Sequence, residues 1–148
     1  MKIAAVEAWP VSLPLTRPYT IAFTTISAVE NVFVRICTEE GIVGLGAAAP
    51  FPLLTGESLD DTLDALSSAR TAWLLGDDIA SFDRLCATHQ QNCTGKPAAA
   101  AALDIALHDL FAKAAGKPLA HLLGQVHHAL PTSVTLGIMD TVGALQAA

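Results

Sequence analysis

Asp104 and His108 are one pair whose types and spacing could do chemistry. They are four apart in a segment of helical period, so a carboxylate and an imidazole share one helix face. That spacing can hold a metal ion. Inside an apolar stripe, a buried hydrogen-bonded pair is the commoner outcome. His127 and His128 are adjacent and point apart, which suits a solvated connection after Gly124. Cys86 and Cys93 have no basic neighbour in sequence to draw out a thiolate, and read as small core or loop residues. With Cys37 the cysteines number 3, with no Cys-x-x-Cys pair, so reduced thiols are expected rather than a disulfide framework. The sequence has no Gly-x-Ser-x-Gly, no Gly-x-x-x-x-Gly-Lys-Ser/Thr and no His-Glu-x-x-His. Gly41, Gly44 and Gly46 are spaced along a hairpin rather than a strand-to-helix turn, which argues against a phosphate cradle. No residue is therefore assigned as catalytic or as a metal ligand.

Composition narrows what these residues can be part of. The 148 residues carry a formal net charge of −6, with 52% hydrophobic and only 15% charged residues, against the roughly 25% charged usual for soluble domains. Disorder and a basic nucleic-acid surface are excluded, and nucleic acid is not an expected partner. No uninterrupted apolar run is long enough to span a bilayer, so no membrane association is expected. Glu7 interrupts the apolar N-terminus and argues against a signal peptide, so a cytoplasmic location is expected. So little charge implies that part of the surface is covered by something else.

The elements that position the candidates are legible in outline. Ile3–Trp9 reads as a short strand that Pro10 and Pro14 stop, and Tyr19–Ser27 as a threonine-rich loop. Asn31–Thr38 is β-branched and aromatic, Glu39-Glu40-Gly41 is a turn, and Ile42–Ala47 returns from it, which predicts a three-stranded antiparallel meander. From Ser58 the period changes: Leu59, Leu63, Leu66 and Trp73 form one stripe, with acids at the start and Gly76 at the end of an amphipathic helix. Ser81 is placed to cap a second helix with Phe82, Leu85 and Cys86 on its apolar face. Pro97 opens and Gly116 closes a third, striped by Leu103, Ala106, Leu107, Leu110, Phe111 and Ala114. Pro118 to Gly124 adds one more turn and a half. The fold class is α+β, a meander followed by a helical layer.

After that layer, Thr132–Ile138 alternates as a strand and Asp140 is placed to cap the helical start 141–148. This reads as the first β-α unit of a further domain, giving boundaries of 1–126 and 127–148. Unpaired, the strand would present an apolar edge through which copies of the chain could associate as a homo-oligomer.

Two loops are the best binding candidates. The first supplies Tyr19, Thr20, Ile21, Phe23, Thr24 and Thr25, polar but low in charge; the second, Ala48–Gly56, supplies Phe51, Leu53 and Leu54 on a proline-stiffened, apolar frame. The alternative is that Phe51, Leu53 and Leu54 tuck onto the domain's own helices.

The run Ala99–Lys113, with Leu103-Asp104-Ile105-Ala106-Leu107-His108-Asp109 at its centre, continues into Gly116-Lys117-Pro118-Leu119 and Leu122-Leu123-Gly124. It resembles a signature of the mandelate racemase/muconate lactonizing enzyme group of the enolase superfamily. The hairpin ending Gly41-Ile42-Val43-Gly44-Leu45-Gly46, then Pro50-Phe51 and Gly56-Glu57-Ser58, fits the same group, and the likeness runs through the whole chain. Within the group, these motifs and Thr132–Ile138 look most like the dipeptide epimerases, typified by L-Ala-D/L-Glu. Muconate cycloisomerase and o-succinylbenzoate synthase are the alternative relatives.

The resemblance implies an N-terminal capping domain whose partner is a modified TIM barrel holding Mg²⁺ and the acid/base lysines. The shared step is proton removal alpha to a carboxylate, and an epimerase returns the proton on the opposite face. The two loops would then border the pocket of a small substrate, a dipeptide, with Thr135 on the first barrel strand as a further lining residue. Only Lys2, Lys96, Lys113 and Lys117 are present, none in a Lys-x-Lys pair, so this chain alone is expected to bind no Mg²⁺ and to be inactive. Two positions depart from the pattern: Ala47 replaces a common glutamate and His108 a common tryptophan. A stand-alone binding module, or a fragment, is the rival reading.

Overall fold

Alternation along residues 32–38 sends Val32, Val34, Ile36 and Thr38 to one face, where all four are buried, and Phe33, Arg35 and Cys37 to the other. This strand is the centre of the sheet in the computed structural model, which describes residues 1–127, 129–133, 138 and 142. Strand β1 (Ile3–Ile21), β2 (Thr24–Thr38) and β3 (Val43–Ala48) form an antiparallel meander in the order β1-β2-β3. The expected α+β architecture holds.

The expected end of β1 does not. The strand runs through both prolines, with Pro10 opposite Val32 and Pro14 opposite Ala28. An edge strand tolerates proline because half of its N–H groups need no ladder partner, and β1 is the edge. The threonine-rich stretch is likewise strand rather than loop. A register shift between Pro14 and Tyr19 bulges the chain, after which Tyr19–Ile21 pairs with Thr24–Ile26 across a two-residue turn. Bulges re-aim strands, and this one sets the angle of the hairpin tip.

Helix α1 (Pro52–Thr55) is a single turn ended by Gly56 at φ 68°. Helix α2 (Leu59–Ala65) begins with a capping box in which Ser58 and Asp61 satisfy each other's backbone N–H groups. The stripe from Leu59 to Trp73 is not one helix. Ser67 is extended at ψ 155° and restarts the chain as α3 (Ser68–Thr71), with the Thr71 hydroxyl donating to the Ser67 carbonyl at 3.0 Å. Ser67 makes no side-chain cap bond, so the break lies in the backbone: Leu66 leaves the helix at φ −100°, ψ 7° and Ser67 is extended. Helix α4 (Phe82–Asn92) follows, but Ser81 makes no side-chain cap; Asp78 caps the preceding 3-10 turn instead, accepting from Ala80 N at 2.9 Å. Helix α5 (Pro97–Ala114) has proline in its first turn as expected, and α6 (Leu119–Leu122) closes the layer.

The core lies between the sheet and α5. Ala99, Ala102, Leu103, Ala106, Leu107 and Leu110 are buried against Val32, Val34 and Ile36, with Leu66, Leu74 and Leu85 filling in from the side. Contact with β3 is very close. A Cβ built on Gly46 would overlap the Ala102 carbonyl oxygen and lie 2.9 Å from Ala106 N; one on Gly44 would lie 2.6 Å from Leu110 Cβ. The hairpin glycines thus serve helix–sheet approach. Asp109 and Lys113 then grip the edge of β3, accepting from Leu45 N at 2.8 Å and donating to the Val43 carbonyl at 2.9 Å.

Candidate functional site

The chain segment after β3 is stiff before it is apolar. Pro50 and Pro52 restrict the backbone, and the Thr55 hydroxyl accepts from Phe51 N at 3.0 Å while lying 3.1 Å from the Phe51 carbonyl. Gly56 takes the left-handed cap and donates to the Pro52 carbonyl at 3.1 Å. Held this way, Leu53 and Leu54 cannot fold back: they are 74% and 79% exposed. For Leu53 and Leu54 the alternative of tucking onto the domain's own helices does not hold, whereas Phe51 is half-buried.

This segment faces the distal half of the β1–β2 hairpin across a groove of about 650 Å³. Ile21, Thr24 and Thr25 line one side, and Phe51 and Leu54 the other. The Thr20 and Thr25 hydroxyls are 2.9 Å apart and tie the two strands near the tip. At the base, the Asn31 amide, oriented so that its nitrogen faces the two acceptors beside it, donates to the Ala48 and Glu30 carbonyls at 3.2 Å each. Glu30 is the charged residue of the lining and accepts from the Ser12 hydroxyl at 2.5 Å.

Five of the expected residues (Ile21, Thr24, Thr25, Phe51 and Leu54) therefore meet at one groove. Phe23 sits at the turn, 61% exposed, and Thr20 and Leu53 flank the groove without lining it. Tyr19 pairs through its backbone with Ile26. Thr135 lies outside the described residues, as does most of the expected strand Thr132–Ile138. Ile138, at the far end of that stretch, donates its N–H to the Thr20 carbonyl at 2.9 Å, which brings the later chain to the hairpin tip.

Glu57, which residue types alone did not single out, anchors the groove wall. It is fully buried; its carboxyl accepts from Ala98 N at 2.8 Å, Ala99 N at 3.3 Å and the Thr62 hydroxyl at 2.6 Å. Helix α5 needs this because Lys96 at its N-cap offers no side-chain acceptor. The signal was the position of an acid within Gly56-Glu57-Ser58, directly after the apolar segment.

Among the described residues, Glu30 is the one carboxylate lining the groove, and no histidine or lysine lines it. Among the described residues the metal-capable group is Cys86, Asp104 and His108, away from the groove; its thiol and imidazole are poor donors for Mg²⁺, which takes oxygen. The described residues do not fit a Mg²⁺ site. Burial, then Asp104 and Asp83, push the Cys86 thiol up to about 11, which disfavours the free thiolate that a nucleophile needs. Cys93 is also raised, first by burial and then by Glu57. The cysteines of the described residues are free. Among those residues, no helix is long and apolar enough to cross a membrane.

Residues 4–124 match the family described as mandelate racemase / muconate lactonizing enzyme, N-terminal domain. The chain is 52% identical over 139 residues to the L-Lys-D/L-Arg epimerase of Desulforapulum autotrophicum, covering 94% of this chain and 39% of that protein. It is 35% identical over 138 residues to the L-Ala-D/L-Glu epimerase of Bacillus subtilis, covering 93% and 38%. Among solved structures, the Methylococcus capsulatus dipeptide epimerase complexed with Mg and the dipeptide L-Arg-D-Lys superposes with a TM-score of 0.95 at 46% identity, over 99% of this chain and 42% of that one. The chain thus spans about two-fifths of the length of these relatives.

Proposed function

The chain belongs to the mandelate racemase/muconate lactonizing enzyme family, of which it carries the N-terminal domain, and from that premise we propose that it is the substrate-specificity cap of a dipeptide epimerase. The observation that carries this reading is the 0.95 TM-score to a dipeptide-liganded epimerase, combined with a preformed groove between hairpin tip and apolar segment. In this reading residues 1–126 are the cap. The following residues begin the barrel, whose Mg²⁺ would stabilise the enediolate formed when the alpha proton is removed.

The cap's own residues do other work. Ile21, Phe51 and Leu54 exclude water from one end of the substrate, and Thr24 and Thr25 offer hydroxyls to its polar groups. Thr20, Phe23 and Leu53 flank the groove, and we assign Tyr19 and Thr135 to the same substrate pocket. Glu30 is the groove's charged side chain, and the whole sequence is acidic at −6. Both favour a dipeptide with a basic side chain, the substrate type in the name of the Desulforapulum relative.

A domain exchange tests this. With residues 1–126 replacing the corresponding cap of the Desulforapulum epimerase, turnover of L-Lys-L-Arg, read as alpha-deuterium uptake in D₂O, is expected within about tenfold of the parent. A folded chimera that turns over L-Ala-L-Glu but not L-Lys-L-Arg would remove the basic-substrate assignment. One that is folded, binds Mg²⁺ and turns over neither would remove the cap reading itself. The 148-residue chain alone is expected to exchange no alpha proton with Mg²⁺ present.

A further inference from the structure

Helices α4 and α5 face each other with a set of soft and borderline donors between them. Cys86 and His89 share one face of α4 at i and i+3, and Asp104 and His108 share one face of α5 at i and i+4. Donor atoms of Cys86, Asp104 and His108 all lie within 4.8 Å of one another. Bond lengths of about 2.0–2.3 Å place tetrahedral zinc donors about 3.3–3.7 Å apart, so small side-chain rotations of three half-buried residues close the set.

The surroundings are those of a ligand set rather than of an ion pair. Asp104 has no lysine or arginine partner among the described residues. Its oxygens face two imidazoles, His108 Nδ1 at 3.4 Å and His89 Nε2 at 3.6 Å. His108 Nδ1 is also 2.8 Å from the Asp104 carbonyl oxygen. Phe82 holds the ring edge-on, 4.8 Å between centroids at 88°, and itself stacks on Phe111 at 4.3 Å.

His89 is the second observation. It is 2% exposed, its Nδ1 has no hydrogen-bond partner among the described residues, and its Nε2 reaches Asp104 only at 3.6 Å. A buried imidazole so poorly satisfied is costly. Its placement behind Asp104 is that of an outer partner steadying a ligating carboxylate.

We propose that Cys86, Asp104 and His108 bind a thiophilic divalent cation of the Zn²⁺ class, with His89 positioning Asp104. One sulfur, one nitrogen and one oxygen donor suit Zn²⁺ and Co²⁺ and exclude Mg²⁺ as the preferred ion. Bound there, the cation joins α4 to α5 through three side chains. This site is separate from the groove and does not depend on the epimerase reading.

The test uses the whole 148-residue chain, reduced, stripped of metal, and titrated with Co²⁺ and with Zn²⁺. Expected are one equivalent of metal retained after dialysis, a thiolate-to-Co²⁺ charge-transfer band, and a Tm that rises with Zn²⁺ concentration. C86S should abolish the band and weaken Zn²⁺ binding more than about tenfold. H89Q should keep the band and weaken binding about 10–100-fold. D104N, at a half-exposed position, serves if H89Q does not fold, and should also weaken binding more than about tenfold. Absence of stoichiometric uptake would overturn the proposal. So would a band that survives C86S and disappears in C37S or C93S, or Mg²⁺ competing on equal terms with Zn²⁺.

Discussion

The Glu57 carboxyl accepts the Ala98 N–H at 2.8 Å, across 41 residues of chain. Helix α5 begins with Pro97, and its N-cap residue Lys96 contributes no side-chain bond, so the first free N–H groups of its buried end depend on a residue from another segment. Glu57 supplies both Ala98 and Ala99 and also takes the Thr62 hydroxyl. One side chain therefore locks the end of the apolar groove segment to the main helix and to α2. Replacing it with alanine strands the Ala98 and Ala99 N–H groups, while the Thr62 hydroxyl keeps the Ser58 carbonyl at 3.0 Å. E57A is expected to lose about 3 kcal/mol and E57Q, which keeps one acceptor, about 1 kcal/mol. Urea unfolding reads both; an E57A variant within about 0.5 kcal/mol of the parent would show that the donors find other partners.

Glycine substitutions separate close approach from backbone conformation. Gly46 has no room for a Cβ against the Ala102 carbonyl, whereas Gly41 has φ 83° and open space around it. G46A is expected to cost about 3 kcal/mol by forcing α5 off β3. G41A should cost about 1 kcal/mol through strain alone. Equal losses in denaturant would contradict a packing role for Gly46.

The same positions show what a sequence discloses. The β2–β3 hairpin and the buried stripe of α5 follow from periodicity and turn spacing, which are local. Pro10 and Pro14 mislead because their tolerance depends on β1 lying at the sheet edge, a fact of strand order. Ser67 breaks the stripe from Leu59 to Trp73 through its extended backbone, which the apolar period does not register. The groove needs the bulge before Tyr19, which turns an apparent loop into a hairpin tip. Asp104 and His108 were legible as a pair, but Cys86 and His89 join them only once α4 packs on α5. Glu57 could be placed by resemblance, not by pattern, because its partners lie 41 and 42 residues away.

Acid should weaken one identifiable bond. Asp61 is held well below the usual carboxylate range, first by the Lys96 ammonium at 2.6 Å and then by the Ser58 hydroxyl and backbone. A lowered folded-state pKa stabilises above the unfolded value of about 4 and loses that contribution as pH falls through the folded value. K96M should therefore be slightly less stable than the parent at pH 7, and the gap should close as pH falls below about 4. Urea midpoints at neutral and acid pH measure it. A gap independent of pH would assign the loss to packing of the Lys96 stem rather than to Asp61.

Leu53 and Leu54 distinguish an exposed apolar surface from a pocket wall. Both are more than 70% exposed, yet only Leu54 lines the groove. Neither L53D nor L54D should shift the stability of this chain by more than about 0.5 kcal/mol, since neither removes a buried contact. In an epimerase carrying residues 1–126 as its cap, L54D should raise KM for the dipeptide about tenfold with a smaller change in kcat, as expected when uniform binding is lost. L53D should leave KM nearly unchanged. The reverse order, or a large stability loss in L54D, would mean that Leu54 holds the domain together rather than facing its substrate. If both raise KM alike, the two leucines act as one apolar rim, and the groove boundary must be extended to include Leu53.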